Sequence, residues 1–561
     1  MGPTSERPTP TPARPVRRWW AESAYGAGLL LALLLLLRQG VVFFGFPEGS
    51  DWETYISNTA YIWHGDWPDV IYQDWRKPLH AYLVGLLGEP SSYIWAAQVV
   101  TTASVVAMVL AAGLMGRALA SRSAGVVSAL SVAALTTLEP ASRWVNHYPL
   151  LAGTGALALA FGAAALRWRH AGWALLAGLF AGLCFAVDSR GLVALVAVGL
   201  MVVGALVSLR AKPRRAVALG VAACLGLGLA TAVDQGLQRR YTPDLLQLGA
   251  QLDDQRQVIL DHYAQVGGAP DALAQACRLD EPTAISTLEL PCAAALGAEN
   301  HRRMRAEGAQ PPLVFALLLL VALVPGRRGW RDSLGSLAVF GCSAGALAAG
   351  MAWVVYWDRY GLQLTVPLAV LAPVALARVA GWVEARWPLG RPGWGSWAGA
   401  AAALLVASLV WPGWPLGAST GAGPAPGASE QHPGGADGRV QLAAWVRANV
   451  GPDDRVFDCA GSSLFQLLLP LRLQLSRAPW HTPSCRAWSR VPLPADGRQW
   501  FVTLEPSPGM EDRFALPPAW MSAQGWERQP VELAPVPGVG TLHLWGRPPA
   551  GDSGPRGTSP G

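Results

Sequence analysis

Three side chains between positions 47 and 91 carry the chemistry this sequence advertises: one acid, Asp51, and an adjacent pair of cations, Arg76 and Lys77. A positioned carboxylate can take the proton of an incoming hydroxyl. Arginine and lysine side by side can hold a phosphate, the guanidinium through its planar fork and the ammonium as a compact charge. The local sequence says how Asp51 is presented. Ser50 and Glu53 form a capping box, so the spacing predicts a helix starting at Asp51. Tyr55, Asn58 and Ile62 then share its face, and Gly65 and Pro68 end the helix. Asp51 would stand at the helix N-terminus, where the dipole favours the ionised carboxylate. A second helix is expected after Pro78, carrying Leu79–Leu87 along a membrane surface. Each residue also has a plainer role: Asp51 and Glu53 as capping acids, Arg76 and Lys77 as anchors at lipid headgroups.

The elements that must position these residues are set by hydrophobicity. Of 561 residues, 52% are hydrophobic and only 14% charged, too few charges to cover a water-facing surface of this size. Uncharged runs near the roughly 20 residues a bilayer crossing needs are separated by short basic bursts. About eleven spans are expected, at 24–46, 92–116, 123–139, 148–166, 171–187, 191–209, 216–233, 311–325, 334–357, 361–380 and 396–414. The first run is too long for a secretion signal and lacks a small-residue cleavage site. Many of the 26 Trp stand at the ends of these runs, as belts at a membrane interface do.

Charge gives the orientation. With residues 1–23 as a basic, Pro-rich cytoplasmic tail, the connectors 117–122, 167–170, 210–215, 327–331 and 378–391 carry two or more Arg or Lys each and fall inside. The short connectors 139–147, 188–190 and 358–360 carry one each and fall outside. The fold class expected is an α-helical polytopic protein of the plasma (inner) membrane, its spans covering 24–414, with large outer loops at 47–91 and 234–310. Residues 415–438 read as a flexible Gly/Ala/Pro/Ser linker, and 439–548 as a small extracytoplasmic α/β domain. The tail 549–561 reads as disordered. Within that domain a helix is expected over 440–450 and strands over 454–458 and 499–504. Cys184, Cys224 and Cys342 lie in apolar runs as small hydrophobes. Cys277 with Cys292, and Cys459 with Cys485, lie in the outer regions, where each pair can form a disulfide.

An Asp just after the first span, then Gly65-Asp66-Trp67, then Arg76-Lys77-Pro78 leading into a Leu/Tyr-rich helix: this order resembles the first outer loop of GT-C glycosyltransferases. It is most similar to the protein O-mannosyltransferase and lipid A aminoarabinose transferase group. The long loop after span seven, and Asp358-Arg359-Tyr360 leading into an apolar span with Pro367, resemble that layout too. The resemblance implies transfer of a sugar from a polyprenyl-phosphate-linked donor to an extracytoplasmic lipid, glycan or protein acceptor, with inversion. It makes Asp51 the catalytic carboxylate and sets Lys77 on a donor or acceptor phosphate. The sequence departs from the pattern at Arg76, where relatives often have Glu, and at Asn146-His147-Tyr148, where they often have an Asp. The second acid is displaced to Glu53.

Other candidates follow from position. Arg190 and Arg359 lie in very short outer turns, where they either reach a lipid phosphate or snorkel. His147 is either a polar contact in the site or interfacial, and the same holds for His80. Arg38 near the end of span one snorkels or faces the same cavity. Asp66, Asp69 and Asp74 read as solvated, and Asp253, Asp254, Arg256, Arg302, Arg303 and Arg305 as a solvated charged face. No cofactor is certain. A divalent cation at Asp51 with Glu53 is chemically possible, on a thin ligand set. The net charge of +6 sits in the connectors, so no nucleic acid is expected as a partner; membrane lipids are. Two other classes stay open: a transporter or flippase for lipid-linked glycans, which should carry mid-membrane charges and related halves, and a non-catalytic envelope assembly protein.

Overall fold

Backbone amides and carbonyls inside hydrocarbon must be bonded within the chain, so uncharged runs of Ala, Leu, Val and Gly fold as helices. The computed structural model describes residues 15–38, 58–59, 62–63, 77–88, 93–134, 146–241, 259, 270–279, 290–306, 319–320, 322–326, 329–352, 358–386, 438–450, 454–458, 474–477, 498–506, 518–535 and 540–547. Its helices are α1 (Pro15–Arg38), α2 (Leu79–Leu87), α3 (Tyr93–Leu119), α4 (Arg122–Ala133), α5 (Tyr148–Trp168), α6 (Ala171–Val187), α7 (Leu192–Ser208) and α8 (Pro213–Tyr241). They continue as α9 (Asp271–Ala276), α10 (Leu290–Ala306), α11 (Trp330–Met351), α12 (Asp358–Arg386), α13 (Gly438–Asn449) and α14 (Pro518–Ala523).

The chain is a helical multi-pass membrane protein. Six described helices are long and apolar enough to cross a bilayer: Trp19–Arg38, Trp95–Leu119, Tyr148–Trp168, Ser189–Ser208, Pro213–Tyr241 and Trp330–Met351. Arg122–Ala133 and Ala171–Val187 are shorter apolar helices at positions where the sequence predicts spans. Most of the expected span 311–325 and all of 396–414 lie outside the described residues.

One element departs usefully from the sequence reading. Hydropathy ends the seventh span at 233 and begins a loop at 234. Instead α8 runs on for two more turns to Tyr241. Its buried stripe is Gly226, Ala230, Asp234 and Gln238, spaced by four and therefore on one face. Hydropathy stops at the first charge, whereas the helix continues because this face is still covered.

What covers it is α6. Cβ atoms added to Gly178 and Gly226 would stand 2.1 Å from the carbonyl oxygens of Ala223 and Leu175, so the two backbones touch. Gly182 lies one turn beyond Gly178, and a Cβ added there would stand 2.5 Å from the Cβ of Ala230. Small residues four apart are the usual means of bringing membrane helices into backbone contact. The crossing sets the C-terminal ends of α6 and α8 together. α5 packs between α3, α6 and α7, and one apolar core runs through the bundle.

Arg378, read from sequence as part of a basic connector, is buried within α12. Its guanidinium donates to the carbonyls of Val324 (3.0 Å), Leu119 (3.1 Å) and Asp332 (2.7 Å), tying three segments at one point. Elsewhere α9 and α10 are joined by a Cys277–Cys292 disulfide beside a small core of Ile259, Leu273, Leu279 and Leu296. Glu299 on α10 pairs with Arg302 and Arg303, and Asn300 donates to the Met351 carbonyl at the end of α11.

The C-terminal region holds a five-stranded sheet of β1 (Arg455–Asp458), β2 (Gln474–Arg477), β3 (Gln499–Pro506), β4 (Glu527–Arg528) and β5 (Gly540–Arg547), in the order β2-β1-β3-β5-β4. β1 is parallel to β2 and β3; β5 is antiparallel to β3 and β4. Trp500, Phe501, Trp526, Leu542 and Trp545 are buried here. The sequence anticipates α13, β1 and β3. It misses β5, whose Gly-Thr-Leu-His-Leu-Trp alternation follows a proline- and glycine-rich run that reads as loop.

Candidate functional site

The site is built at the end of the bundle where α6 and α8 finish. Here Ile62 and Trp63 pack against α2. Trp63 stacks on Tyr82 at 5.2 Å and its indole N–H donates to the Tyr82 carbonyl. Ile62 and Ala81 are buried together against Tyr82 and Tyr241, the last residue of α8. The first loop, α2 and the end of α8 are thus joined by apolar contact, and Lys77, one residue before Pro78, is delivered beside α6.

Lys77 is held from three directions. Its ammonium donates to the Phe185 carbonyl at 2.7 Å and to Asp234 Oδ2 at 3.3 Å, and it lies 3.7 Å over the Phe185 ring. Phe185 is in the last turn of α6, whose carbonyls lack intrahelical partners and carry the negative end of the helix dipole. Asp234 keeps its other oxygen for the Gln238 amide, 2.7 Å away and one turn along α8. Burial pushes the Lys77 ammonium below the usual lysine range, and Asp234 first, then Asp188, oppose the shift.

The second charged group is centred on Asp188, the residue that ends α6. Its carboxylate accepts from the Arg190 backbone N–H (2.8 Å) and from Arg190 Nε (2.9 Å) and Nη2 (2.8 Å). It also lies 2.8 Å from His147 Nε2. Burial raises the pKa of Asp188, but Arg190, then His147, outweigh that effect and hold the carboxyl well below the usual range. Arg190 lies 4.9 Å from the Tyr148 ring, and His147 is 4.2 Å from the same ring. Asn146 fixes this corner by accepting the Tyr148 N–H at 3.0 Å, which starts α5.

Arg190 also lines a small hollow of about 20 Å³, room for about one water, between α5, α6, α7, α11 and α12. Leu151, Leu159, Val193 and Pro367 make its wall apolar, with Cys184, Cys342 and Gln363 alongside. Both thiols are free and buried.

Of the residues singled out from sequence, the structure brings Lys77, His147 and Arg190 to this one end. Asp51, Glu53, Arg76, Cys459 and Cys485 lie outside the described residues, as do Asp66, Asp69, Asp74, Asp253, Asp254 and Arg256. Arg359 stands in the first turn of α12, with its side chain outside the description. His80 is buried on α2, and Arg38 is the exposed last residue of α1. Sequence reading misses the two carboxylates that organise the site. Asp188 belongs to a turn that draws notice only for its arginine, and Asp234 reads as the first residue of a loop. The four-residue spacing of Gly226, Ala230, Asp234 and Gln238 is the signal for the second. Among the described residues, no group of three or more His, Cys, Asp or Glu is placed to hold a metal ion.

No protein-family model and no curated protein sequence matches the chain. Among solved structures it is similar to ArnT from Cupriavidus metallidurans bound to undecaprenyl phosphate, at 14% identity and a TM-score of 0.49 over 93% of this chain and 98% of that one. It is also similar to the apo state of the same protein, at 15% identity and a TM-score of 0.46 over 94% of this chain and 98% of that one. The oligosaccharyltransferase from Archaeoglobus fulgidus, in the apo form, gives 13% identity and a TM-score of 0.43 over 88% of this chain and 70% of that one. Identities and scores at this level leave the reading of function to the residues themselves.

Proposed function

We propose that the chain is a GT-C-like membrane glycosyltransferase, which moves a sugar from a polyprenyl-phosphate-linked donor to a lipid, glycan or protein acceptor on the non-cytoplasmic side. One observation carries this reading: Lys77 and Arg190, from segments more than a hundred residues apart, are each held by a carboxylate at one end of the bundle. Two cations held at one end of the bundle suit a phosphate.

In the reaction, Asp51 takes the proton of the acceptor hydroxyl. The hydroxyl oxygen bonds to the anomeric carbon as the bond from that carbon to the phosphate oxygen breaks. The sugar passes through an oxocarbenium-like transition state, and one in-line displacement inverts the anomeric centre. The departing lipid phosphate keeps the bonding electrons. Lys77 and Arg190 stabilise that charge in a site of low dielectric, and Arg76, next to Lys77 in sequence, is assigned to the same phosphate. His147, bonded to Asp188, supports Arg190 through that carboxylate, and Glu53 is assigned the capping role that the sequence spacing suggests. Arg359 is assigned to the same phosphate.

The test compares surface glycans by mass spectrometry in cells without the chain and in cells making equal amounts of wild type or Asp51→Asn. The expected result is one glycan lost in both the deletion and the Asp51→Asn cells. A full complement of that glycan in Asp51→Asn cells refutes the enzymatic reading. Normal transfer chemistry with lipid-linked glycan trapped on the cytoplasmic leaflet would mark a transporter instead.

A further inference from the structure

Lys77 already makes two hydrogen bonds, which raises the question of what happens to them when a phosphate arrives. The Phe185 carbonyl is the closer partner at 2.7 Å, and Asp234 the looser one at 3.3 Å. Asp234 is almost fully buried, with 4% of its side chain exposed against 15% for Lys77. It is anchored independently, through Gln238 on its own helix and through the close crossing of α6 and α8. When Lys77 turns to a ligand, Asp234 therefore stays in place as a buried negative charge facing the newcomer. Asp188 adds a second carboxylate to the surroundings of Lys77, but the Arg190 guanidinium is already paired with it.

Donor and product differ in the property such a charge would sense. A sugar joined to the carrier through a phosphodiester leaves the phosphate with one negative charge. The product, a phosphate monoester, carries about −1.5 to −2 near neutral pH. Repulsion from a fixed buried carboxylate grows in proportion to ligand charge, and little water screens it here.

The geometry points to Asp234 as a charge filter for the Lys77 site: it sets the site to favour the singly charged phosphodiester donor over the more highly charged phosphate monoester product, and so speeds product release. The inference rests on the glycosyltransferase reading and deepens it. Asp234 touches neither ligand. It is a positioning residue that acts through Lys77 and through its own field. The barrier it sets is overcome by an ammonium–phosphate contact that replaces the ammonium–carboxylate one, while Gln238 keeps one Asp234 oxygen satisfied.

The experiment uses the full chain in lipid nanodiscs and measures, at pH 7.5, the affinity for a polyprenyl phosphate and for a polyprenyl-phosphate hexose. Wild type, Asp234→Asn and Asp234→Glu are compared. Each variant yields a ratio of the two affinities, so a partly unfolded preparation does not distort it. In Asp234→Asn the monoester should gain about tenfold relative to the diester. Asp234→Glu keeps the charge and should stay within about twofold of the wild-type ratio. Equal ratios in wild type and Asp234→Asn, with both ligands bound, overturn the filter and leave the glycosyltransferase reading intact. Failure of wild type to bind either ligand overturns that reading, and the filter with it.

Discussion

Replacing Asp188 by Asn keeps the shape of the side chain and removes its charge, and the structure says what that should do. Asp188 accepts four hydrogen bonds between 2.8 and 2.9 Å, three from Arg190 and one from His147. An asparagine oxygen can keep the backbone bond and one other, while its amide nitrogen confronts donors that have no use for it. Leaving one partner of a buried ion pair alone costs about 3–5 kcal/mol. Arg190 is 24% exposed and recovers some hydration, so about 2–3 kcal/mol is expected here. The assay is thermal unfolding in detergent, followed by a thiol-reactive dye. Cys184 and Cys342 are free and buried, so they label only on unfolding, while exposed Cys224 gives a constant background. The midpoint should fall by several degrees. Arg190→Ala should lower it alone, and much less again in the Asp188→Asn background, because residues that share an interaction are not additive. Full additivity of the two substitutions would refute the claim that Asp188 organises this corner. The acid limb follows from the same carboxyl. Its pKa is depressed in the folded chain, so its contribution is complete above the ordinary carboxylate pKa of about 3.9 and is lost as pH falls through the lower folded value.

Other consequences are as direct. Lys77→Ala should weaken polyprenyl-phosphate binding by about tenfold or more, the loss of one charge-assisted contact, measured by native mass spectrometry; unchanged binding removes Lys77 from the site. Because burial lowers the Lys77 pKa and only the ammonium attracts phosphate, wild-type affinity should decline with rising pH before an ordinary lysine would deprotonate, at about 10.4. A flat profile up to that pH contradicts the assignment. Gly178→Leu would drive a side chain into the Ala223 carbonyl and part α6 from α8. It should abolish binding and cut the yield of folded protein, whereas Gly199→Ala, which meets nothing within 4 Å, should change neither. Arg378→Met leaves three carbonyls without their donor and should destabilise the bundle by about 3 kcal/mol, read with the same dye.

What the sequence can reveal follows the physics each residue obeys. Apolar length identifies membrane helices because hydrocarbon thickness sets it, and α3, α5 and α11 lie where that rule puts them. Lys77 is legible because Pro78 and the apolar Leu79–Leu87 helix follow it. The carboxylates are not, for two separate reasons. Asp188 has a local partner in Arg190, two residues on, but the contact that joins it to a distant segment is with His147, 41 positions away, and no local pattern records a partner at that distance. Asp234 lies where hydropathy ends but helix does not, since hydropathy measures preference for lipid while α8 continues on the cover provided by its neighbours. A periodicity of four past the last apolar residue is the trace such a helix leaves. Arg378 is misread for a related reason: positive charge near a helix end suggests the membrane surface, yet a guanidinium with three carbonyls to bond can be buried inside.

The two carboxylates also divide the labour between the two cations. Asp188 grips Arg190 with two side-chain contacts and a backbone one, all short, and adds His147 from a distant segment. An anion arriving there meets a guanidinium whose fork is already committed to Asp188, which fixes its position. Lys77 is held by one short contact to a neutral carbonyl and one long contact to a carboxylate. An ammonium has no fixed fork and can re-aim its three donors by rotating a flexible stem. On the glycosyltransferase reading proposed above, the fixed cation would set where the phosphate sits, and the movable one how tightly it is held. A site with two fixed cations would grip its product as firmly as its substrate; one movable cation backed by an immobile negative charge gives way when the ligand has to leave.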